Sequence, residues 1–176
     1  GLATPVAIMV GNGAGAKNGI LFKTSEALEN AGHIQIVALD KTGTITEGKP
    51  VVKDILPAEN EYYDELLKVA CSLENKSEHP LAKAINTYGK EHAVQIEETT
   101  DFKALQGNGV QAMMHGKCIV GGSKKYMETK TSLKDVSSVY NQVTQEGKTP
   151  LFFMEDDVYL GMITVADPIK KDSREA

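Results

Sequence analysis

The residues best suited to chemistry are five consecutive ones, Asp40-Lys41-Thr42-Gly43-Thr44. A carboxylate can attack phosphorus, so Asp40 acting as a nucleophile would form an aspartyl-phosphate and split hydrolysis of a phosphoanhydride into two easier steps. Lys41 offers positive charge, Gly43 lets main-chain amides approach a phosphate, and Thr44 supplies a hydroxyl donor. Asp40 and the Thr42 carbonyl are oxygen ligands of the kind that suits Mg2+. The motif therefore predicts phosphoryl transfer through Asp40.

The run that precedes this motif predicts where Asp40 lies in the fold. Residues 34–39 (IQIVAL) are β-branched and almost wholly apolar, which is typical of a strand buried on both faces of a parallel sheet. Ligands bind at the carboxyl ends of such strands, so Asp40 would occupy a catalytic position. Thr42 stands where a phosphatase of this architecture would place an acid/base aspartate, and threonine cannot do that work. An acyl-phosphate formed here should therefore be long-lived, which suits an enzyme that drives a conformational cycle.

Downstream, the periodicity changes and predicts an antiparallel sheet with helices. Helices are expected from Glu61, from about Pro80 and over residues 135–146, with Ser77 as a possible cap and Gly89 as the stop of the second helix. The expected strands cover residues 101–105, 109–114, 117–120, 151–155 and 158–165, and residues 51–55 precede the first helix. Tight turns are expected at His115-Gly116 and at Asp156-Asp157. An antiparallel unit is thus predicted to be inserted after a strand of a parallel type.

Composition excludes several classes of protein. The 176 residues carry 19 Lys and Arg against 24 Asp and Glu, and a net charge of -5 argues against a nucleic-acid partner. Cys71 and Cys118 lie far apart and predict neither a disulfide framework nor a thiolate metal site. The apolar residues 2–10 are too few to span a bilayer, although they fit the cytoplasmic end of a membrane helix. His33, His92 and His115 lack ligand spacing and are expected to be structural or exposed.

A second group of residues suits a nucleotide base. His79 offers a flat ring on which a base can stack, and Glu74 can accept from an exocyclic amine. Gly107 and Gly109 carry no side chain that would block a ligand. Each feature is weak by itself, but together they favour nucleotide binding.

With both groups in place, the sequence resembles the P-type ATPases, whose phosphorylation signature is the Asp40 motif. The stretch SEHPLA over residues 77–82 resembles the nucleotide-binding domain of the heavy-metal-transporting branch. This resemblance implies that His79 lies against adenine, that Glu74 also contacts it, and that residues 107–109 line the same pocket. Gly122-Ser123 falls where the family has Gly-Asn, so Ser123 is expected to replace the asparagine only in part.

The resemblance also implies a fold and a domain organisation. The expected class is α/β: a partial HAD-like (Rossmannoid) phosphorylation domain with an inserted α+β nucleotide-binding domain. Residues 1–30 would form the cytoplasmic end of a membrane helix and a linker, and residues 31–50 the first part of the phosphorylation domain. Residues 51–165 would form the nucleotide-binding domain, and residues 166–176 the return into the phosphorylation domain. The family's remaining phosphorylation-domain residues would follow Ala176, so this chain is expected to bind ATP but to turn over little of it.

The function implied is ATP-driven transport of a heavy-metal cation. The expected cofactors are ATP and Mg2+, the transported cation would bind outside this chain, and the rest of the protein would anchor it at the cytoplasmic face of a membrane. Copper is favoured by residues 1–5, which resemble the segment directly after the cysteine-containing membrane motif of copper pumps. The alternatives are a zinc, cadmium or cobalt pump, a stand-alone nucleotide-binding module, and a phosphatase of the same fold.

Overall fold

The computed structural model describes residues 2–133 and 136–174, and the chain divides into two compact units, residues 1–39 and residues 40–176. The first unit holds two helices, α1 (Ala3–Lys17) and α2 (Ser25–Ala31), and neither helix has a buried residue. The Thr24 side chain caps α2 by accepting from the Ala27 amide at 3.1 Å. No helix in the described part of the chain is long and apolar enough to cross a membrane.

The buried strand predicted over residues 34–39 is wrong for this structure. These residues form no strand, and their apolar side chains are exposed, with Ile36 at 89%. An apolar run becomes a buried strand only when neighbouring strands satisfy its main chain and cover its faces. Every strand pairing among the described residues is antiparallel and involves later parts of the chain, so this run has no partner to pair with.

The second unit is built on an antiparallel sheet, as predicted, and its six strands are one more than the five expected. Its strands are β1 (Val51–Pro57), β2 (Thr100–Leu105), β3 (Gly109–Met114), β4 (Lys117–Gly122), β5 (Thr149–Glu155) and β6 (Val158–Ala166). Their spatial order is β1-β6-β5-β4-β3-β2. The predicted hairpin turn between β3 and β4 is confirmed, because His115 and Gly116 both adopt positive φ, at 51° and 80°.

Helices cover both faces of this sheet. On one face lie α3 (Tyr63–Glu74) and α4 (Pro80–Glu91), and the other face carries α5 (Lys124–Met127) and α6 (Ser137–Gln145). The predicted apolar stripe of α3 is confirmed, since Leu66, Ala70 and Leu73 are fully buried. Helix α5 was not predicted, and Asp135, where the predicted last helix begins, lies outside the described residues.

The predicted stop of α4 at Gly89 is wrong, because the helix continues to Glu91. Gly89 is buried where α4 meets α3, and a Cβ placed on it would lie 2.5 Å from the Cys71 Sγ atom. Cys71 is itself completely buried. Glycine is therefore required here by helix packing, although glycine in a sequence more often marks a helix end.

Candidate functional site

A cleft of about 470 Å³ opens at one end of the sheet, next to the end of α3 and the start of α4. The structure brings together in its lining all six residues assigned to nucleotide binding from the sequence: Glu74, His79, Gly107, Gly109, Gly122 and Ser123. The remaining lining is largely apolar and includes Leu81, Leu105 and Leu151. An apolar cleft with a few polar groups is the usual form of a small-molecule site.

Glu74 is the last residue of α3 and is only 7% exposed. The Asn86 amide donates to the main-chain oxygen of Glu74 at 2.9 Å, which fixes the end of α3 against α4. Burial raises the pKa of the Glu74 carboxyl to about 7, although a hydrogen bond from the Ser77 side chain acts in the opposite direction. The side chain thus presents a desolvated acceptor to the cleft.

His79 occupies the N-cap position of α4, where the sequence predicted Ser77. Its Nδ1 atom accepts from the Leu81 amide at 3.2 Å. Because Nδ1 accepts, the neutral ring carries its proton on Nε2. Ser77 contributes differently, since its hydroxyl oxygen lies 3.4 Å from the His79 amide nitrogen. The helix cap therefore fixes the tautomer and orientation of a ring that remains exposed to the cleft.

The glycines of the cleft serve two distinct purposes. Gly107 has a φ of 72° and open space where a Cβ would lie, so it leaves room for a ligand. Gly109 pairs with Gly122 across β3 and β4. A Cβ on Gly109 would overlap the Gly121 main-chain oxygen, and one on Gly122 would overlap the Asn108 oxygen. Gly109 and Gly122 are therefore needed first for the close approach of two backbone segments.

Ser123 is committed mainly to local structure. Its hydroxyl oxygen accepts from the Tyr126 amide at 3.4 Å and caps the short helix α5. The hydroxyl keeps one proton to donate into the cleft. An asparagine amide would offer two.

The predicted phosphorylation motif forms an exposed loop over residues 40–45, named here the Asp40 loop. Asp40, Lys41, Thr42 and Thr44 are all exposed, and Gly43 turns the chain with a φ of 78°. The Lys170 Nζ atom donates to the Gly43 carbonyl at 2.7 Å. The Gly43 amide donates to the Thr46 hydroxyl at 3.2 Å. The loop is thus held from two sides while the four exposed side chains stay accessible.

Three residues that secure this loop, Thr46, Asp167 and Lys170, were not assigned a role from the sequence. Asp167 accepts hydrogen bonds from the Thr46 hydroxyl at 2.5 Å, the Gly48 amide at 3.1 Å and the Lys49 amide at 3.0 Å. Thr46 is only 2% exposed. The signal available in the sequence was the stretch Asp167-Pro168-Ile169-Lys170, which resembles the re-entry into the phosphorylation domain.

The Asp40 loop and the cleft lie at the same end of the sheet. The loop leads into the first residue of β1, Val51, which pairs with Ala166 of β6. The adjacent residue of β6, Val165, pairs with Thr149, which lines the cleft. The segment that carries the Asp40 loop therefore enters the sheet at β1. That strand lies two strands away from β5, whose first residue, Thr149, lines the cleft.

Magnesium is the metal that the motif implies, and the donor chemistry fits it in part. The Asp40 carboxylate and the Thr42 carbonyl are hard oxygen donors in one loop. Mg2+ takes six oxygens and commonly keeps several waters and phosphate oxygens among them. Among the described residues, no group of three or more His, Cys, Asp or Glu side chains could hold a metal ion. This loop can therefore supply only part of a coordination shell.

A family model of haloacid dehalogenase-like hydrolases matches residues 34–176, which includes the Asp40 loop and the cleft. The chain belongs to the haloacid dehalogenase-like hydrolases. It is 44% identical to the "Probable copper-importing P-type ATPase A" of Enterococcus hirae and 42% identical to a "Copper-exporting P-type ATPase" of Staphylococcus saprophyticus. Each comparison covers 100% of this chain but only 24% and 22% of the relative.

A solved structure agrees with these comparisons. The crystal structure of a zinc-transporting PIB-type ATPase in the E2.Pi state superposes with a TM-score of 0.78 at 33% identity, over 98% of this chain and 28% of that one. The resemblance to heavy-metal P-type ATPases and the expected α/β class are thus confirmed. The chain spans about a quarter of the length of the relatives it matches.

Proposed function

We propose that this chain is the ATP-binding and phosphorylation-site region of a heavy-metal-transporting P-type ATPase, with copper as the transported ion. The observation that carries the proposal is the single cleft that contains all six residues assigned to nucleotide binding. In this proposal residues 51–165 form the nucleotide-binding domain, flanked by phosphorylation-domain segments over residues 31–50 and 166–176. Residues 1–30 form the cytoplasmic end of a membrane helix and a linker, which places this region at the cytoplasmic face of the membrane.

In the cleft, the adenine base stacks on the His79 ring and donates its exocyclic amino group to Glu74. The apolar lining covers the faces and edge of the base, and Gly107 leaves it room. The cleft opens at the sheet end that carries the Asp40 loop, so the phosphates can extend toward that loop.

At the loop, an Asp40 carboxylate oxygen attacks the γ-phosphorus, the bond to the β–γ bridging oxygen breaks, and ADP leaves with that electron pair. Lys41 supplies positive charge and Thr44 a hydroxyl donor for the transferring group. Bound Mg2+, held by Asp40 and the Thr42 carbonyl, would neutralise phosphate charge during the transfer. No acid/base aspartate stands at Thr42, so the aspartyl-phosphate persists long enough to drive transport of a cation bound elsewhere in the protein.

The first test is calorimetric titration of ATP into this chain and into His79→Gln, Glu74→Ala and His115→Gln variants. His115 lies in the β3–β4 turn, outside the cleft, and serves as the matched histidine control. We expect saturable binding by the parent, weakened at least tenfold, or about 1.4 kcal/mol, in the two cleft variants and unchanged in His115→Gln. Binding that both cleft variants leave unchanged in folded protein would refute the assignment of the cleft.

Copper and transport are tested on the full-length protein. We expect Cu+ to stimulate its ATP turnover more than Zn2+ does, and Asp40→Asn to abolish both turnover and acid-stable labelling from γ-labelled ATP. Stimulation by Zn2+ alone would replace copper by zinc in the proposal. Labelling that survives Asp40→Asn would exclude Asp40 as the phosphorylated residue.

A further inference from the structure

The Glu74 carboxyl lies in a place that disfavours its charged form for three structural reasons. It is largely withdrawn from solvent, with an exposure of 7%. It ends α3, and the C-terminal end of a helix carries partial negative charge that repels a carboxylate. The lining of the cleft contains no Lys or Arg among the described residues.

Three of the polar groups near Glu74 make hydrogen bonds to other atoms. The Lys76 ammonium donates to the Thr99 main-chain oxygen. The Asn86 amide donates to the main-chain oxygen of Glu74 and not to its carboxyl group. His79 is the other titratable residue in the lining, and its Nδ1 atom is used to cap α4. The Ser77 side chain donates to the carboxyl, but burial outweighs this bond so that the pKa rises to about 7.

We propose that Glu74 couples nucleotide binding to a proton: the cleft takes an adenine nucleotide with Glu74 ionised, and binding releases a proton to the solvent. This inference rests on the proposed function, because it requires a ligand whose exocyclic amino group donates to the carboxyl. The amino group makes a charge-assisted hydrogen bond to a carboxylate, which is stronger than its bond to the carbonyl oxygen of a protonated carboxyl. Protons and adenine nucleotide therefore bind in competition.

The size of the effect follows from the fraction of ionised protein. When only one state of a protein binds, the apparent Kd equals the intrinsic Kd divided by the population of that state. With the Glu74 pKa at about 7, the ionised fraction falls about tenfold between pH 8 and pH 6. We expect affinity to fall by the same factor on acidification over this interval.

The experiment is calorimetric titration of adenosine into this chain at pH 6, 7 and 8. Adenosine is chosen because it has no phosphate groups that titrate in this range. We expect binding about tenfold weaker at pH 6 than at pH 8 in the parent. Glu74→Gln keeps an acceptor oxygen but cannot ionise, so its affinity should change less than about twofold over the same interval. His79→Asn keeps the helix cap and should bind more weakly but retain the tenfold dependence.

Purine riboside, which lacks the 6-amino group, is the matched ligand control and should show no loss of affinity at pH 6. The carboxyl carbon shift of Glu74, followed by NMR without ligand, should titrate near pH 7 and move to lower pH with saturating adenosine. Saturable binding that is independent of pH, a slope that persists in Glu74→Gln, or titration of Glu74 at its ordinary value would overturn the coupling. Absence of saturable adenosine binding at pH 8 would overturn the proposed function itself.

Discussion

Asp167 joins the segment after the Asp40 loop to the end of β6, and its removal should loosen that attachment measurably. In Asp167→Ala the Thr46 hydroxyl and the Gly48 and Lys49 amides lose their acceptor. Gly48 and Lys49 are exposed and can bond water instead, so most of the cost falls on Thr46, which is 2% exposed. Thr46 keeps a weaker alternative acceptor, the Lys41 carbonyl at 3.2 Å. A buried polar group that loses its partner costs about 1–3 kcal/mol, and we expect about 2 kcal/mol here.

The assay is urea unfolding of this chain, with hydrogen exchange of the Gly48 and Lys49 amides as a local readout. The matched control is Asp157→Ala, because the Asp157 side chain is exposed in the β5–β6 turn and should cost less than about 0.5 kcal/mol. Exchange at both amides should accelerate in Asp167→Ala only. A stability equal to that of the control, or unchanged exchange at the two amides, would refute the role assigned to Asp167.

The remaining predictions concern packing and pH. Gly109→Ala should destabilise the chain by about 2–4 kcal/mol in urea unfolding, since its Cβ would overlap backbone at a φ of 148°; a loss below about 1 kcal/mol would contradict this geometry. Gly89→Ala should lower the free energy of unfolding by about 1–3 kcal/mol, because its Cβ would clash with the Cys71 sulfur. Adding Cys71→Ala should recover part of that loss by removing the sulfur. Additive losses in a double-mutant cycle would show that the two residues do not interact. Burial raises the pKa of Glu74, so the stability that this residue contributes is full below its unfolded pKa and is lost as the pH rises through about 7. In Glu74→Gln, the midpoint of urea unfolding should no longer show that loss when it is measured against pH. The hydrogen bond from Lys148 lowers the pKa of Asp54, so the stability that Asp54 contributes is present near neutral pH and is lost on acidification below about pH 4. In Asp54→Asn, the midpoint of urea unfolding should no longer show this loss.

The parts of the fold that depend on local pattern could be predicted from the sequence. The two hairpins follow from alternating residues and turn types, and the α3 stripe follows from helical spacing. The convergence of Glu74, His79 and Gly107 on one cleft was predictable only through the order in which their motifs occur along the chain.

The parts that failed depend on distant partners. Residues 34–39 have the composition of a buried strand, but a strand is defined by its neighbours. Gly89 resembles a helix end in the sequence because its contact, Cys71, belongs to another helix. Asp167 bonds to Thr46 over a separation of 121 residues, and nothing local to either residue signals that bond.

The exposed run over residues 34–39 also affects how this chain behaves at high concentration. It is a six-residue segment of high β-propensity without charge, proline or glycine, and its main chain has no strand partner among the described residues. Segments of this kind stack with copies of themselves into cross-β aggregates when nothing covers them. The sequence that leads into Asp40 is therefore also the point at which self-association of the isolated chain would begin. A lysine in place of Gln35 would be the simplest way to discourage it.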